Sequence, residues 1–514
     1  MMKIEDVKKV DEFLVFLKEN HGKLMVSPDK SYSEFYDAVK KAMDYFTGRN
    51  VRNRQIAIAG KQNYEWLVAF FGIMGSGNIA VPIEARDNDL DKKIISLDIF
   101  ETYADADAKK EIRFKNSHDI SEILYSEEFS GCGNALYDKE QEAIIICTSG
   151  TTGNYKCVVL THNNIISNIK CGMFFAEGQL RQGDVVVPVL PTTHMFEITV
   201  GLMCSLCSGC ELRFSRGAKY FAKDMLKYKP TALVLVPMIV EDMYAKVMHN
   251  VSKKISAKKL NKLIAFSNMC RRVGIDIRRK LFKEIIDAFG GNLKTIICGG
   301  AHLNEEAVKG FENFGICVDL GYGITECSPV ISCNRKKERR LKSVGVPCPE
   351  EFAEVSVIDG EICVRGDIVF KEYYNDIKST EEAKRDGWFH TGDLGKIDKD
   401  GYIYITGRNK NLIILADGNN ISPEEIEDNF KNIPNIKSIF VHEKENNGKK
   451  CICASVYVEC DDFNDREQIQ EEVRNAIQKE NKNLPAFKRV QMIEFVEKDF
   501  EKTALGKIRR FIYK

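Results

Sequence analysis

Ile144-Ile145-Ile146-Cys147-Thr148-Ser149-Gly150-Thr151-Thr152-Gly153-Asn154-Tyr155-Lys156 is the stretch on which the fold and the chemistry of this chain turn. Its run of β-branched residues predicts a buried strand, which opens into hydroxyls and glycines and closes on a lysine. Glycine lets successive backbone N–H groups point at one anion, and Ser and Thr hydroxyls add further donors. Lys156 supplies a cation to the same place. The pattern predicts a phosphate cradle, suited to a polyphosphate. It is not the Walker loop, because the Gly-x4-Gly-Lys-[Ser/Thr] spacing is absent. A plain surface turn has similar composition; the preceding strand and the closing lysine separate the two.

Outward from this stretch the chain alternates short apolar runs with helical patterns, from about Gln55 to Cys333. Gln55–Ala59, Ile79–Pro82, Val185–Val189, Ala232–Val236, Thr295–Cys298 and Cys317–Leu320 read as strands of an α/β architecture with largely parallel sheets. Between Ser343 and Ile405 the character changes. Short strands such as Val355–Ile358 and Glu361–Val364, set between Asp-Gly and Gly-Asp turns, predict an antiparallel β subdomain. After Gly407-Arg408-Asn409-Lys410 a smaller α+β unit begins. Its first helix opens at Ser422-Pro423-Glu424-Glu425, read as a capping box with Pro at the first helical position. The strands Ile436–His442 and Cys451–Glu459 and the helix Arg466–Glu480 complete it. The expected organisation is a large N-terminal domain, residues 1–409, and a small C-terminal domain, residues 410–514.

A length of 514 residues suits two or three domains. Lys and Arg number 75, as do Asp and Glu, so overall charge steers the chain toward neither nucleic acid nor an anionic membrane. Met1 to Asn20 lacks the apolar core of a signal peptide. Trp66 to Ile83 is broken by Gly72, Gly75, Ser76, Gly77 and Asn78, and reads as a buried helix and a strand rather than a transmembrane segment. The 17 cysteines are scattered, as free thiols in a reducing cytosol, which predicts a cytoplasmic protein. Cys204, Cys207 and Cys210 lack a fourth ligand at iron–sulfur spacing and read as small apolar residues of a packed helix. Lys253 to Lys283 carries eleven Lys and Arg against the single acid Asp276. That run reads as two solvated helices whose apolar face, with Leu260, Leu263, Ile264, Ile275, Ile277 and Leu281, packs inward. A landing surface for an anionic partner, such as the phosphates of CoA or a membrane, is the alternative.

Four segments downstream add to the cradle. Gly321-Tyr322-Gly323-Ile324-Thr325-Glu326 offers an aromatic able to stack on a base, then a carboxylate able to hold Mg²⁺. Gly299-Gly300-Ala301-His302 follows another strand. Trp388-Phe389-His390-Thr391-Gly392-Asp393 precedes Gly407-Arg408, and a carboxylate there can accept from both hydroxyls of a ribose. Near the C-terminus, Lys502-Thr503-Ala504-Leu505-Gly506-Lys507 presents a lysine after a glycine.

These motifs, in this order, resemble those of the adenylate-forming enzymes, which include acyl-CoA synthetases, adenylation domains and luciferases. The resemblance implies that Thr148, Ser149, Gly150, Thr151, Thr152, Gly153 and Lys156 hold the phosphates of ATP. It implies that Gly300 and Ala301 lie against adenine, that Tyr322, with Gly323, stacks on it, and that Asp393 and Arg408 hold the ribose. Glu326 would bind Mg²⁺, with Thr325 beside it among the catalytic residues, and Lys507 would be the catalytic cation. Lys410, two residues after the arginine of Gly-Arg, would be the hinge of a mobile C-terminal domain. Tyr155 replaces the family's usual Pro, a change that loosens the loop without removing a ligand.

Leu190-Pro191-Thr192-Thr193-His194-Met195-Phe196-Glu197 resembles the Leu-Pro-x-x-His segment of acyl- and aryl-activating members, with His194 as a wall of the carboxylate pocket. It lacks the Asp of amino-acid-activating domains. Gly274–Lys283 and Gly407–Glu425 resemble bacterial long-chain fatty acid–CoA ligases. The expected reaction is ATP-dependent activation of a carboxylic acid, medium- to long-chain, to acyl-AMP, followed by transfer to CoA. The alternatives are a fatty acyl-AMP ligase loading an acyl carrier protein, an aryl-CoA ligase, and a nucleotide sensor without catalysis.

Overall fold

The computed structural model describes residues 2–125, 136–148, 155–335, 338–414, 420–431, 433–446, 449–459, 466–503 and 508–513. The chain forms two compact units. The first comprises Met1–Thr148, Tyr155–Val355 and Val364–Phe389; the second comprises Ser149–Asn154, Ser356–Cys363 and His390–Lys514.

Two seven-stranded sheets build the first unit. One has the spatial order Glu372–Tyr373, Lys156–Thr161, Glu142–Thr148, Ile79–Pro82, Gln55–Ala59, Glu101–Ala104, Ser117–Asp119. From Glu142–Thr148 to Ser117–Asp119 the strands are parallel; Lys156–Thr161 and Glu372–Tyr373 run antiparallel. Ile144, Ile145, Ile146, Val158, Val159 and Leu160 are fully buried, which is why this stretch reads as one apolar run rather than an alternating one. The second sheet runs Glu211–Leu212, Val185–Val186, Ala232–Leu235, Thr295–Cys298, Cys317–Gly323, Val330–Cys333, Val346–Pro347. It too is parallel through Cys317–Gly323 and antiparallel beyond. In both sheets, then, the motif-bearing strand is where the direction of pairing switches. The chain reverses there at the carboxyl edge of parallel strands, which is where open α/β sheets present their ligand crevices.

Trp66 to Ile83 forms the helix Tyr64–Gly75 and the strand Ile79–Pro82. Asn63 caps that helix, accepting from Trp66 N at 2.7 Å. Among the described residues no helix is long and apolar enough to cross a membrane. Several strands differ from expectation at their ends: in the second sheet Val185–Val186 and Ala232–Leu235 are shorter, and Cys317–Gly323 absorbs Gly321-Tyr322-Gly323, because these three residues pair with Val330–Cys333.

In the second unit, Ile436–Asn446 pairs antiparallel with Lys449–Val458, which pairs parallel with Met492–Phe495. The helices Pro423–Phe430 and Arg466–Asn481 close one core with this sheet through Ile426, Phe430, Val473 and Ile477. The capping box expected at Ser422 does not form. Its Oγ donates to the Glu424 carboxylate at 3.1 Å, and Glu425, which would complete the box, is held by Lys488 Nζ at 2.7 Å.

Thirteen described cysteines are free, but Cys147 and Cys157 form a disulfide. This corrects the expectation that all thiols are free. The two lie directly opposite each other on neighbouring antiparallel strands, a pairing that spacing along the chain does not reveal. Cys204, Cys207 and Cys210 are buried in and just after the helical stretch Phe196–Cys207, and belong to no cluster of metal-ligating atoms among the described residues.

Candidate functional site

The hairpin of the first sheet brings Thr148 opposite Lys156, and Thr148 Oγ1 donates to the Lys156 carbonyl at 3.2 Å. Ser149, Gly150, Thr151, Thr152 and Gly153, expected to cradle phosphate, lie outside the described residues. At the other end of the hairpin the Tyr155 hydroxyl is 3.0 Å from Ser96 Oγ. Beyond it, Lys156 Nζ lies 4.5 Å from the centre of the Tyr373 ring, and Tyr373 OH donates to Glu326 Oε1 at 2.8 Å. Tyr373 therefore stands between the expected phosphate lysine and the expected metal carboxylate. Burial and the Glu326 carboxylate raise the Tyr373 phenol well above its ordinary value, so it remains a donor at any working pH. No motif pointed to Tyr373; its place follows from the edge strand Glu372–Tyr373 pairing with Lys156–Thr161.

The segment carrying Thr325 and Glu326 is held from several sides. Gly323 has to be glycine, since a Cβ there would lie 2.0 Å from the Pro329 carbonyl oxygen, which accepts from Ile324 N at 3.0 Å. Fully buried Asn168 donates to the carbonyls of Cys327 at 2.9 Å and Val330 at 2.8 Å, and accepts from Val330 N at 3.1 Å. Thr199 Oγ1 donates to the Ser328 carbonyl at 2.8 Å, and Phe370 N to the Glu326 carbonyl at 2.8 Å. The one sequence signal for Asn168 is an amide inside the apolar helical run Ile165-Ile166-Ser167-Asn168-Ile169. Tyr322 is half-buried on its strand, opposite Ser332.

His194 begins the helical turn that leads into Phe196–Cys204; its carbonyl accepts from Glu197 N at 3.1 Å. Phe196 reaches the adenine-loop candidates, since a Cβ on Gly299 would lie 3.2 Å from Phe196 Cζ. Gly300 takes a φ of +92°, and Ala301 is exposed beside it. Glu197 is fully buried, with Gln62 Nε2 donating to its Oε1 at 2.8 Å. Gly201, one turn on, makes room for the carboxyl, as a Cβ there would lie 2.6 Å from Oε2. Burial pushes the Glu197 carboxyl up to about 8.

A carboxyl raised above its unfolded value favours folding fully below the unfolded pKa, near 4.3, and that contribution is lost as pH rises through about 8. Glu197→Gln keeps the shape and removes the titration. We expect the stability of the wild type to fall relative to this variant between pH 5 and pH 8 by on the order of 2 kcal/mol, read from urea midpoints across that range. Parallel pH profiles for the two proteins would show that Glu197 does not titrate in this way.

In the second unit Asp393 and Arg408 face each other on paired strands, with Arg408 Nε donating to Asp393 Oδ1 at 2.8 Å. The Thr391-Gly392-Asp393 turn is fixed by Glu361, a residue no motif singled out. Its carboxylate accepts from Gly392 N at 2.7 Å and lies 3.0 Å from His390 Nδ1. Thr391 Oγ1 accepts from Asp393 N at 3.0 Å and donates to the Ile362 carbonyl at 2.7 Å. Lys410 is exposed in the single turn Asn409–Asn411 that follows the strand Ile403–Arg408. Lys507 lies outside the described residues, and its neighbours Lys502 and Ile508 form an isolated antiparallel bridge.

The AMP-binding enzyme family matches residues 18–374, and the AMP-binding enzyme C-terminal domain matches residues 410–513. The chain belongs to the AMP-binding enzyme family. Among members of this family it is 27% identical over 424 residues to the long-chain-fatty-acid–CoA ligase FadD15 of Mycobacterium bovis, covering 75% of this chain and 70% of that protein. Identity is 33% over 322 residues to long-chain-fatty-acid–CoA ligase 5 of Rattus norvegicus, covering 59% of this chain and 47% of the rat protein. The anthranilate CoA ligase AuaEII in complex with anthranoyl-AMP shares the fold with a TM-score of 0.79 at 18% identity, over 100% of this chain and 98% of that one. A fatty acyl CoA synthetase of Mycobacterium tuberculosis has a TM-score of 0.67 at 21% identity, over 98% and 97%.

Proposed function

We propose that this AMP-binding enzyme joins a medium- to long-chain fatty acid to CoA in two steps. In the first, a carboxylate oxygen attacks the α-phosphorus of ATP and the bond to pyrophosphate breaks, giving acyl-AMP. In the second, the CoA thiol attacks the acyl carbonyl, AMP leaves and the thiol proton passes to solvent. The observation that carries the reading is the bridge by which Tyr373 joins Lys156, on a strand of the first sheet, to Glu326, in the turn Thr325–Cys327 that connects two strands of the second. Similarity to long-chain-fatty-acid–CoA ligases supports the acid and the acceptor.

Little covalent work falls to such a protein; positioning and neutralisation of charge dominate. Lys156 and the 148–156 loop would bind the phosphates, Tyr322 would stack on adenine beside Gly300 and Ala301, and Asp393 with Arg408 would hold the ribose. Thr325 would lie next to the phosphates, and His194 would wall the carboxylate pocket. Glu326 suits Mg²⁺: Tyr373 takes one carboxylate oxygen, and Oε2 has no partner among the described residues, as a hard cation held by one or two carboxylates requires. The bound ion would neutralise phosphate charge. Among the described residues, thirteen free cysteines against one bonded pair favour a reducing, cytoplasmic setting.

The test is acid-dependent ATP–pyrophosphate exchange across fatty, aryl and amino acids, followed by product formation with CoA and with an acyl carrier protein. Exchange that strengthens with acyl length, with CoA as acceptor, is the expected result. Exchange with aryl or amino acids alone would overturn the substrate, and carrier-only transfer would overturn the acceptor.

Residues 410–514 would form a small domain that turns between the two steps on Lys410, a loop position able to absorb a backbone change. Lys410→Pro would then slow thioester formation roughly tenfold more than adenylation, read by timing the two half-reactions separately. Equal effects on both would place the pivot elsewhere.

A further inference from the structure

In the first unit, the helix Ala257–Arg272 has two apolar faces, and one of them is bare. Leu260 and Ser267 are buried, and Leu263 and Ile264 pack against the core beneath. The opposite side reads Lys258, Lys262, Phe266, Met269, Val273, steps of four, four, three and four that fall along one stripe of a helix. On this stripe Phe266 is 49% exposed, Met269 58% and Val273 73%; Ile275, after the turn at Gly274, is 58% exposed. The inward packing expected of Ile275 is therefore not what the fold does with it. Scattered apolar residues on a surface are ordinary, but a continuous row is the mark of a contact site.

Four cations of this region have partners within the fold. Arg278 pairs with Asp276 at 2.7 Å, Arg279 donates to the carbonyls of Leu293 and Gly291, Lys254 pairs with Glu284 at 2.6 Å, and Lys283 pairs with Asp287. These serve the fold. For Lys258, Lys259, Lys262 and Arg272 no ion pair is found among the described residues. Three of them lie in the first two turns of a helix with no acid in its first turn. Cations at that end oppose the helix dipole, so local helix stability does not account for them.

We infer that this helix docks on the surface of a membrane containing anionic lipid. Phe266, Met269, Val273 and Ile275 would enter the boundary between headgroups and acyl chains. Lys258, Lys259, Lys262 and Arg272, on long stems beside them, would reach the lipid phosphates. A ridge of apolar tips, flanked by cations that have no ion pair among the described residues, fits a planar anionic layer. The overall balance of 75 acidic and 75 basic residues hides the feature, because the charge is local.

The test uses the full chain with phosphatidylcholine vesicles, and with vesicles mixing phosphatidylcholine and phosphatidylglycerol. It reads binding by co-sedimentation and needs no catalysis. The expected result is binding to the mixed vesicles, weakened by salt, with little binding to the neutral ones. The triple variant Lys258→Glu, Lys259→Glu, Lys262→Glu should lower that binding at least about tenfold, and so should Phe266→Ser with Met269→Ser. Both variants should keep the wild-type urea midpoint. Phe266→Trp should show blue-shifted emission with the mixed vesicles. Equal binding to both vesicle types, or binding that survives both sets of substitutions, would overturn the inference. So would self-association abolished by Phe266→Ser, which would make the stripe an interface with a second copy of this chain.

Discussion

Lys507→Ala is expected to slow formation of acyl-adenylate by about 10²–10³-fold, the usual effect of removing one preorganised group that faces developing charge. Attack of a carboxylate on a triphosphate brings anions together and pushes negative charge onto the departing pyrophosphate. A cation that meets carboxylate and phosphate together acts on the transition state more than on either reactant alone. The lysine is proposed to leave before the thiol attacks, so thioester formation from supplied acyl-adenylate should persist at a near wild-type rate. That split is the decisive readout. Equal loss in both half-reactions would remove Lys507 from the first step, and retention of both would remove it from catalysis.

Asn168→Ala is expected to cost roughly 3–5 kcal/mol of stability, read as a fall in the urea midpoint, because it strands buried polar groups rather than merely removing bonds. The carbonyls of Cys327 and Val330 lose their donor and Val330 N loses its acceptor, in a place where Asn168 itself is fully buried. The same change should raise the Mg²⁺ concentration needed for half-maximal adenylation, since Asn168 latches the segment that carries Glu326. A stability loss under about 1 kcal/mol would mean that water or a rearranged backbone satisfies those groups.

The strand Glu142–Thr148 was legible because a strand buried on both faces reads as a near-continuous apolar run rich in β-branched residues, and Ile144-Ile145-Ile146 shows that without help from distant sequence. The same holds for Gln55–Ala59, Ile79–Pro82 and Thr295–Cys298, whose bounds in the fold are those read from the chain. Reading failed where the deciding contact is remote. Glu425 looked like half of a capping box, but Lys488 competes for it. Cys147 and Cys157 looked like two thiols among many until strand register set them face to face. No motif showed that the paired strands would join Asp393 to Arg408 in an ion pair, beside a turn fixed by Glu361 and Thr391.

Sequence alone determined the α/β class, the order of the motifs and the types of side chain each would offer, because backbone turns and donor groups depend on residues a few positions apart. Tertiary structure alone decided that Tyr373 would link Lys156 to Glu326, that Asn168 would hold the segment that carries Glu326, and that burial would raise Glu197. It decided, too, which face of the helix Ala257–Arg272 would stay in water. Each of these joins residues far apart in the chain, and their spacing in sequence carries no force; the distances, burial and local charge that do act arise only when the sheets close and pack.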